Sequence, residues 1–394
     1  MTHSFNRESP DRTGPGGIAK RPSHSPADSG PETIPPPLPP EQGDPLWMFQ
    51  GPQGLRAGWS ILLFVTLLYF FANVFGTLLS STLSGLHVDF ADQTAGSSIA
   101  GESAWVLALA STLVILARLE RRRFFAYHLA GPAAVARFFS GLVSGFAALS
   151  VLVGVLAWGG WIRLGVASHD HAQLVRHAAL WAIAFLLVAL TEEGIFRCFL
   201  QFTLARSLNF WWAIAAVAPL CLWEATHPGR HGAGGVYAMA LLGFFPGLYL
   251  QKSKSPQSGF WMAAWVSSTA FIFIHTGNNG ETWVGILAAG AIGFVFCVSV
   301  RLTGSAWWAI GCHAAWDWAE TYFYGTADSG YVASGHLLTT TPTGSALWSG
   351  GTDGPEGSIL VLPVVLLLLL ALLVLYGRKR RHRAATTLAE HTVS

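Results

Sequence analysis

From Trp59 almost to the C-terminus, long apolar blocks alternate with short polar or basic joints. A helix that crosses a bilayer needs about 20 mostly apolar residues. Ten segments approach that pattern: 59–80, 101–117, 137–159, 174–200, 209–226, 234–251, 259–275, 283–300, 305–323 and 358–376. Backbone groups in lipid must bond within their own segment, so such blocks predict helices. The expected fold class is all-α, a polytopic transmembrane helical bundle of about 8–10 spans. The shorter blocks 209–226 and 259–275 also suit re-entrant segments.

The joints orient the blocks. Arg118, Arg121, Arg122 and Arg123 follow the second block, Lys252 and Lys254 the sixth, and Arg301 the eighth. Arg378, Lys379, Arg380, Arg381 and Arg383 follow the tenth. With all ten crossing, these basic joints share one side, and the positive-inside rule makes both termini cytoplasmic. A bacterial inner (plasma) membrane is the expected location. Residues 1–50 contain Pro35-Pro36-Pro37-Leu38-Pro39-Pro40 and too little apolar surface for a core, so they are expected to be a disordered tail. No basic-then-apolar signal pattern opens the chain.

Composition agrees with the pattern. Hydrophobic residues make up 52% and charged residues 11%, against about 25% charged in soluble domains. Seventeen Trp suit two interfacial belts. A formal net charge of +2 suggests no nucleic-acid partner. The four cysteines, Cys198, Cys221, Cys297 and Cys312, have neither disulfide-framework nor zinc-knuckle spacing and read as small buried hydrophobes.

Ionisable residues inside apolar blocks are costly and usually face a polar cavity. Glu192, Glu193 and Arg197 end the run from Ala178 to Leu190. Glu193 and Arg197, four residues apart, share a helix face and can pair. Glu192 lies about 100° round the helix and is left available as a general base. His275 ends a second block. His313 and Asp317, four apart, share a face of a third, where Asp317 can fix the imidazole tautomer or hold its charge. Taken singly, each group also suits a buried structural pair or a capping histidine. Together they point to one wet site able to hydrolyse a peptide bond, with or without a metal.

These motifs resemble those of the CAAX-processing and bacteriocin-processing (CPBP) intramembrane proteases, related to the type II prenyl-protein endopeptidase. Glu192-Glu193…Arg197, Phe271…His275 and His313…Asp317 stand in the family's order, and the resemblance covers roughly residues 140–325. It implies Glu192 as general base, His275 positioning the water, Glu193 and Arg197 as supporting pair, and His313 with residue 317 at the oxyanion. Many members carry Asn at the position of Asp317. An ionised Asp cannot donate a hydrogen bond, so Asp317 is assigned to orienting and charging His313. The resemblance favours a metal-free reaction. The chain has no His-Glu-x-x-His, yet Glu192, His275 and His313 would be the ligands of a zinc version. The implied partners are the lipid bilayer and a protein or peptide substrate in or at the membrane, membrane-associated or prenylated in type.

The chain divides accordingly into a tail (1–50), N-terminal transmembrane helices (51–135), a catalytic core (136–325), a polar loop (326–357), and a last helix with a basic tail (358–394). Within the core, residues 209–258 are an additional stretch whose Phe210-Trp211-Trp212-Ala213 echoes Phe260-Trp261-Met262-Ala263. A duplicated hairpin and chance similarity both account for this. The stretch offers a rival histidine, His227, but with Trp223 where the motif has Phe. Outside the protease reading, a transporter or scaffold would also bury charge. It would spread its charges through the spans and carry inverted repeats, whereas here they concentrate in three motifs. A family member without catalysis that binds partners is a further alternative.

Overall fold

A computed structural model describes residues 48–51, 54–84, 94–131, 133–167, 170–206, 218–223, 226–227, 257–278 and 280–377. Nearly all of the expected tail, most of the 209–258 stretch and the C-terminal basic run lie outside the described residues.

Helices α1 (Ala57–Ser84), α2 (Ala95–Leu119), α3 (Ala134–Trp158) and α4 (His171–Glu193) come first, α4 running on through a π turn (Gly194–Leu200) to Ala205. Then follow α5 (Ser258–His275), α6 (Trp283–Thr303) and α7 (Trp307–Trp318), the last extended by a second π turn at Ala319–Phe323. A short α8 (Ala346–Ser349) precedes α9 (Val361–Leu372), which ends in a π turn reaching Gly377. The chain is a polytopic helical bundle, and α1, α2, α3, α4 with its extension, and α6 are long and apolar enough to cross a membrane. Leu62 and Phe70 on α1, Val143 on α3 and Leu367 on α9 are exposed, as side chains facing lipid would be. The protein is an integral membrane protein.

Local chemistry sets several helix ends. Thr94 Oγ1 accepts from Ser97 N at 3.2 Å while Ser97 Oγ accepts from Thr94 N at 2.9 Å, a reciprocal cap on α2. Thr282 Oγ1 accepts from Gly285 N at the start of α6, and Gly304, at φ +77°, ends it in the left-handed conformation.

Side-chain contacts sort the helix ends. At one end Ser60 Oγ donates to Glu120 Oε1 at 2.6 Å, and Arg122 and Arg206 pair with Glu120 Oε2 at 3.1 and 3.4 Å. Arg137 donates to Ser305 Oγ at 3.1 Å, joining the starts of α3 and α7 at that same end. At the other end the strands Ile162–Val166 and Leu338–Pro342 pair antiparallel, tying the exit of α3 to the segment after α7. Trp318 Nε1 donates to Ala178 O and Tyr322 OH to Leu174 O, so α7 runs antiparallel to α4.

The approach of α3 to α7 fixes the depth of the third motif. A Cβ at Gly145 would lie 2.0 Å from Cys312 O, one at Gly141 2.2 Å from Trp308 O, and one at Gly311 2.2 Å from Phe138 O. These small residues let two backbones touch, the interface that Gly-x-x-x-Gly spacing makes in membranes. His313 follows Cys312 directly and inherits that register. We predict that Gly145→Val lowers the thermal midpoint in detergent, since overpacking costs about 1–3 kcal/mol. Gly154→Ala on the same helix meets nothing within 4 Å and should leave the midpoint unchanged or raised. Equal midpoints for Gly145→Val and the unmodified protein would contradict this packing.

Candidate active site

Two of the three motif-bearing helices widen next to their charged residues. In the π turn of α4, Gln201 N bonds to Phe196 O, five residues back. His128 Nδ1 bonds to Arg197 O at 2.7 Å, and Ser267 Oγ donates to Phe196 O at 2.9 Å. Carbonyls shifted out of the regular helical pattern are thus held by the loop after α2 and by α5. A second π turn follows Asp317, where Tyr324 N bonds to Ala319 O.

Arg197 is fully buried. Its Nη1 donates to Glu193 Oε1 at 3.1 Å, and its guanidinium carbon lies 4.4, 5.3 and 5.7 Å from the ring centres of Phe271, Phe296 and Phe196. Gly293 leaves the room this requires, since a Cβ there would meet Arg197 Nη2 at 2.7 Å. The same Glu193 oxygen receives His313 Nδ1 at 3.0 Å. A carboxylate only accepts, so this bond assigns a proton to Nδ1. The other ring nitrogen, Nε2, lies 3.4 Å from Asp317 Oδ2 and 3.8 Å from Glu192 Oε2. Glu193 is therefore held by Arg197 and His313. Glu192, which is partly exposed, has no hydrogen-bond partner at Oε2.

His275 closes α5. Its Nδ1 bonds to Phe271 O at 2.8 Å. The carbonyl accepts, so in the neutral ring Nε2 keeps a lone pair for the site. Glu192, His275, His313 and Asp317 all line one cavity of about 270 Å³, while Glu193 and Arg197 stand behind its wall. Although His275 ends its helix, it borders the same space as Glu192, His313 and Asp317. His227 does not line it; it is exposed, with its ring stacked on Trp223 at 4.1 Å.

The lining is partly apolar, with Phe185, Val188, Ile292, Phe296, Val361 and Val365. It also includes polar groups outside the three motifs: Asn278, Asp328, Ser329 and Glu356. The last three come from the segment expected to be only a polar loop, and nothing in its Gly-, Ser- and Thr-rich sequence marks it as part of a site. Thr321 Oγ1 donates to Asp328 Oδ2 at 3.1 Å, and Trp316 Nε1 to Glu356 Oε1 at 2.6 Å. Burial pushes both carboxyls above the ordinary carboxylate range. Glu281, between α5 and α6, is raised to about 8 by burial and then by the charge of Asp353, and it receives Asn278 Nδ2 at 3.2 Å. Cys198, Cys297 and Cys312 are buried, Cys221 is partly so, and none forms a disulfide.

Among the described residues, no group of three or more His, Cys, Asp or Glu side chains has the spacing to hold a metal ion. Glu192, His275 and His313 share the cavity without forming a ready zinc tripod. Chemically, the cavity offers an uncommitted carboxylate and an imidazole lone pair for a water. A second imidazole, fixed between carboxylates, is available to developing negative charge.

Residues 174–256 and 244–319 match the family model described as type II CAAX prenyl endopeptidase Rce1-like. Those two segments contain Glu192, Glu193, Arg197, His275, His313 and Asp317. Over these residues, fewer than half of the chain, the protein is similar to the type II CAAX prenyl endopeptidase family. No curated protein and no solved structure matches it.

Proposed function

We propose that the protein is a glutamate-type intramembrane endopeptidase acting on membrane-associated protein substrates. The observation that carries this reading is the convergence of Glu192, His275 and His313 on one cavity, with Glu193 taken up by Arg197. A water held between Glu192 and His275 Nε2 loses a proton to Glu192 as its oxygen bonds to the scissile carbonyl carbon. Charge gathers on the carbonyl oxygen, and His313, kept in orientation by Glu193 and Asp317, is the donor that meets it. As the C–N bond breaks, Glu192 returns the proton to the leaving amine, giving a new carboxylate and a new amine.

The basic ends of the bundle support an orientation. Arg118, Arg121, Arg122, Arg123, Arg137, Arg206 and Arg301 collect at the Glu120 end, against Arg163 and Arg176 at the other. By the positive-inside rule the Glu120 end is cytoplasmic, as are both termini, in a bacterial inner membrane. The 326–357 segment that borders the cavity then faces outward.

In proteoliposomes carrying a randomised peptide library, Glu192→Gln should lower cleavage at least about 100-fold, the scale of a lost general base. Its thermal midpoint should stay within a few degrees of the unmodified protein. Cleavage should survive exhaustive dialysis against a chelator. Full activity of Glu192→Gln, or a loss on chelation that zinc alone restores, would overturn the mechanism.

Ser345 is exposed at the strand end of the bundle. Ser345→Cys in intact cells should react with a membrane-impermeant maleimide. Labelling that appears only after lysis would reverse the orientation.

A further inference from the structure

Resting on the peptidase reading, we infer that Ser329 is a substrate-positioning residue. Its hydroxyl accepts a hydrogen bond from a substrate main-chain N–H beside the scissile bond. Among the described residues that line the cavity, Ser329 is the one that carries a hydroxyl, and the reaction proposed above gives it no task. It stands at the tip of a tight turn in which Asp328 and Tyr331 exchange backbone bonds of 2.9 Å in both directions. Its φ of +47° is left-handed, a conformation that costs any residue with a side chain and that clusters at working sites. The turn is fastened to the loop that follows His275. Gly280 N donates to Ser329 O at 3.1 Å, and a Cβ at Gly280 would collide with the Gly330 backbone, so the two chains touch. Asn278 N in turn donates to His275 O at 3.0 Å. Backbone bonds therefore hold Ser329 in register with the imidazole assigned to the water.

The side chain is oriented as well. Ser329 and Asn278 both hydrogen-bond to the Glu281 carboxyl, Asn278 through Nδ2 at 3.2 Å. A hydroxyl that donates to a carboxyl oxygen keeps its lone pairs for an incoming donor. Peptide cleavage needs such an acceptor. A substrate chain drawn into the cavity loses water from its main chain, and an unmatched buried N–H is costly. Phe185, Val188, Ile292 and Phe296, which line the cavity, offer it no partner. Of the other acceptors, Asp317 faces His313, while Asp328 and Glu356 receive Thr321 and Trp316. With His313 at the scissile carbonyl oxygen and Ser329 at a neighbouring N–H, the chain is held at two points across Glu192 and His275. Recognition at Ser329 is of main chain, so many side chains are accepted there. Proline, which has no N–H, is rejected.

The test uses the full-length protein in proteoliposomes and a peptide that it cleaves from a randomised library. That peptide is resynthesised with a single N-methyl group on each main-chain amide near the scissile bond in turn. Ser329→Gly relieves the left-handed backbone, so its thermal midpoint should equal or exceed that of the unmodified protein. Its kcat/KM on the parent peptide should fall at least about tenfold, the scale of an unmatched buried donor. One of the N-methylations should cost the unmodified protein at least about tenfold and Ser329→Gly about twofold or less. Cleavage of the parent peptide by Ser329→Gly within about twofold of the unmodified rate would overturn the assignment and leave the peptidase intact. So would N-methyl penalties that match in the two proteins at every position. Cleavage of no library peptide by the unmodified protein would count instead against the peptidase reading. If Ser329→Gly fails to fold, Ser329→Ala supplies the same comparison.

Discussion

A guanidinium with no solvent exposure sits inside the bundle, and the site is organised around its neutralisation. Arg197 bonds to Glu193, which also holds His313, and three phenyl rings enclose the charge. Removing one partner of a buried pair typically costs about 3–5 kcal/mol, because the other charge is left uncompensated. That penalty keeps α4, α5, α6 and α7 together, since Arg197 and Glu193 come from α4 and its extension, Phe271 from α5, Phe296 from α6 and His313 from α7. It also separates two adjacent glutamates into different tasks. Glu193 is consumed by the pair; Glu192, one residue earlier, is turned toward the cavity and retains an oxygen without a partner.

Much of this is readable from spacing. Four residues separate Glu193 from Arg197, and His313 from Asp317, so each pair falls on one helix face. The helices follow from apolar block length, and the described helices α1 to α7 and α9 overlay eight of the ten expected blocks, the other two lying mostly outside the described residues. Gly141-x-x-x-Gly145 is a legible signal for the α3–α7 contact. The rest depends on long-range packing. Nothing local tells that His128 bonds to Arg197 O, or that both charged helices carry π turns. The greatest gap concerns the segment after α7. Its polar composition reads as a surface loop, but the strand pairing with Ile162–Val166 and the contacts to Thr321 and Trp316 fold it against the site.

That folding changes what lines the cavity. The helices supply Glu192, two imidazoles and apolar side chains. The added segment brings Asp328, Ser329 and Glu356 to the cavity from outside the region matched by the family model. The buried ion pair thus belongs to the bundle, whereas part of the polar lining comes from the segment after α7.

In the proposed reaction Glu192 activates water and does not itself attack the peptide. A single turnover in ¹⁸O-enriched water, with protein in excess over substrate, separates the two by mass spectrometry. Label is expected in the new C-terminal carboxylate of the product and none in the proteolytic fragment of the protein that contains Glu192. Label in Glu192 with unlabelled first-turnover product would mean an acyl intermediate on that carboxylate and would rule out the water-activating role.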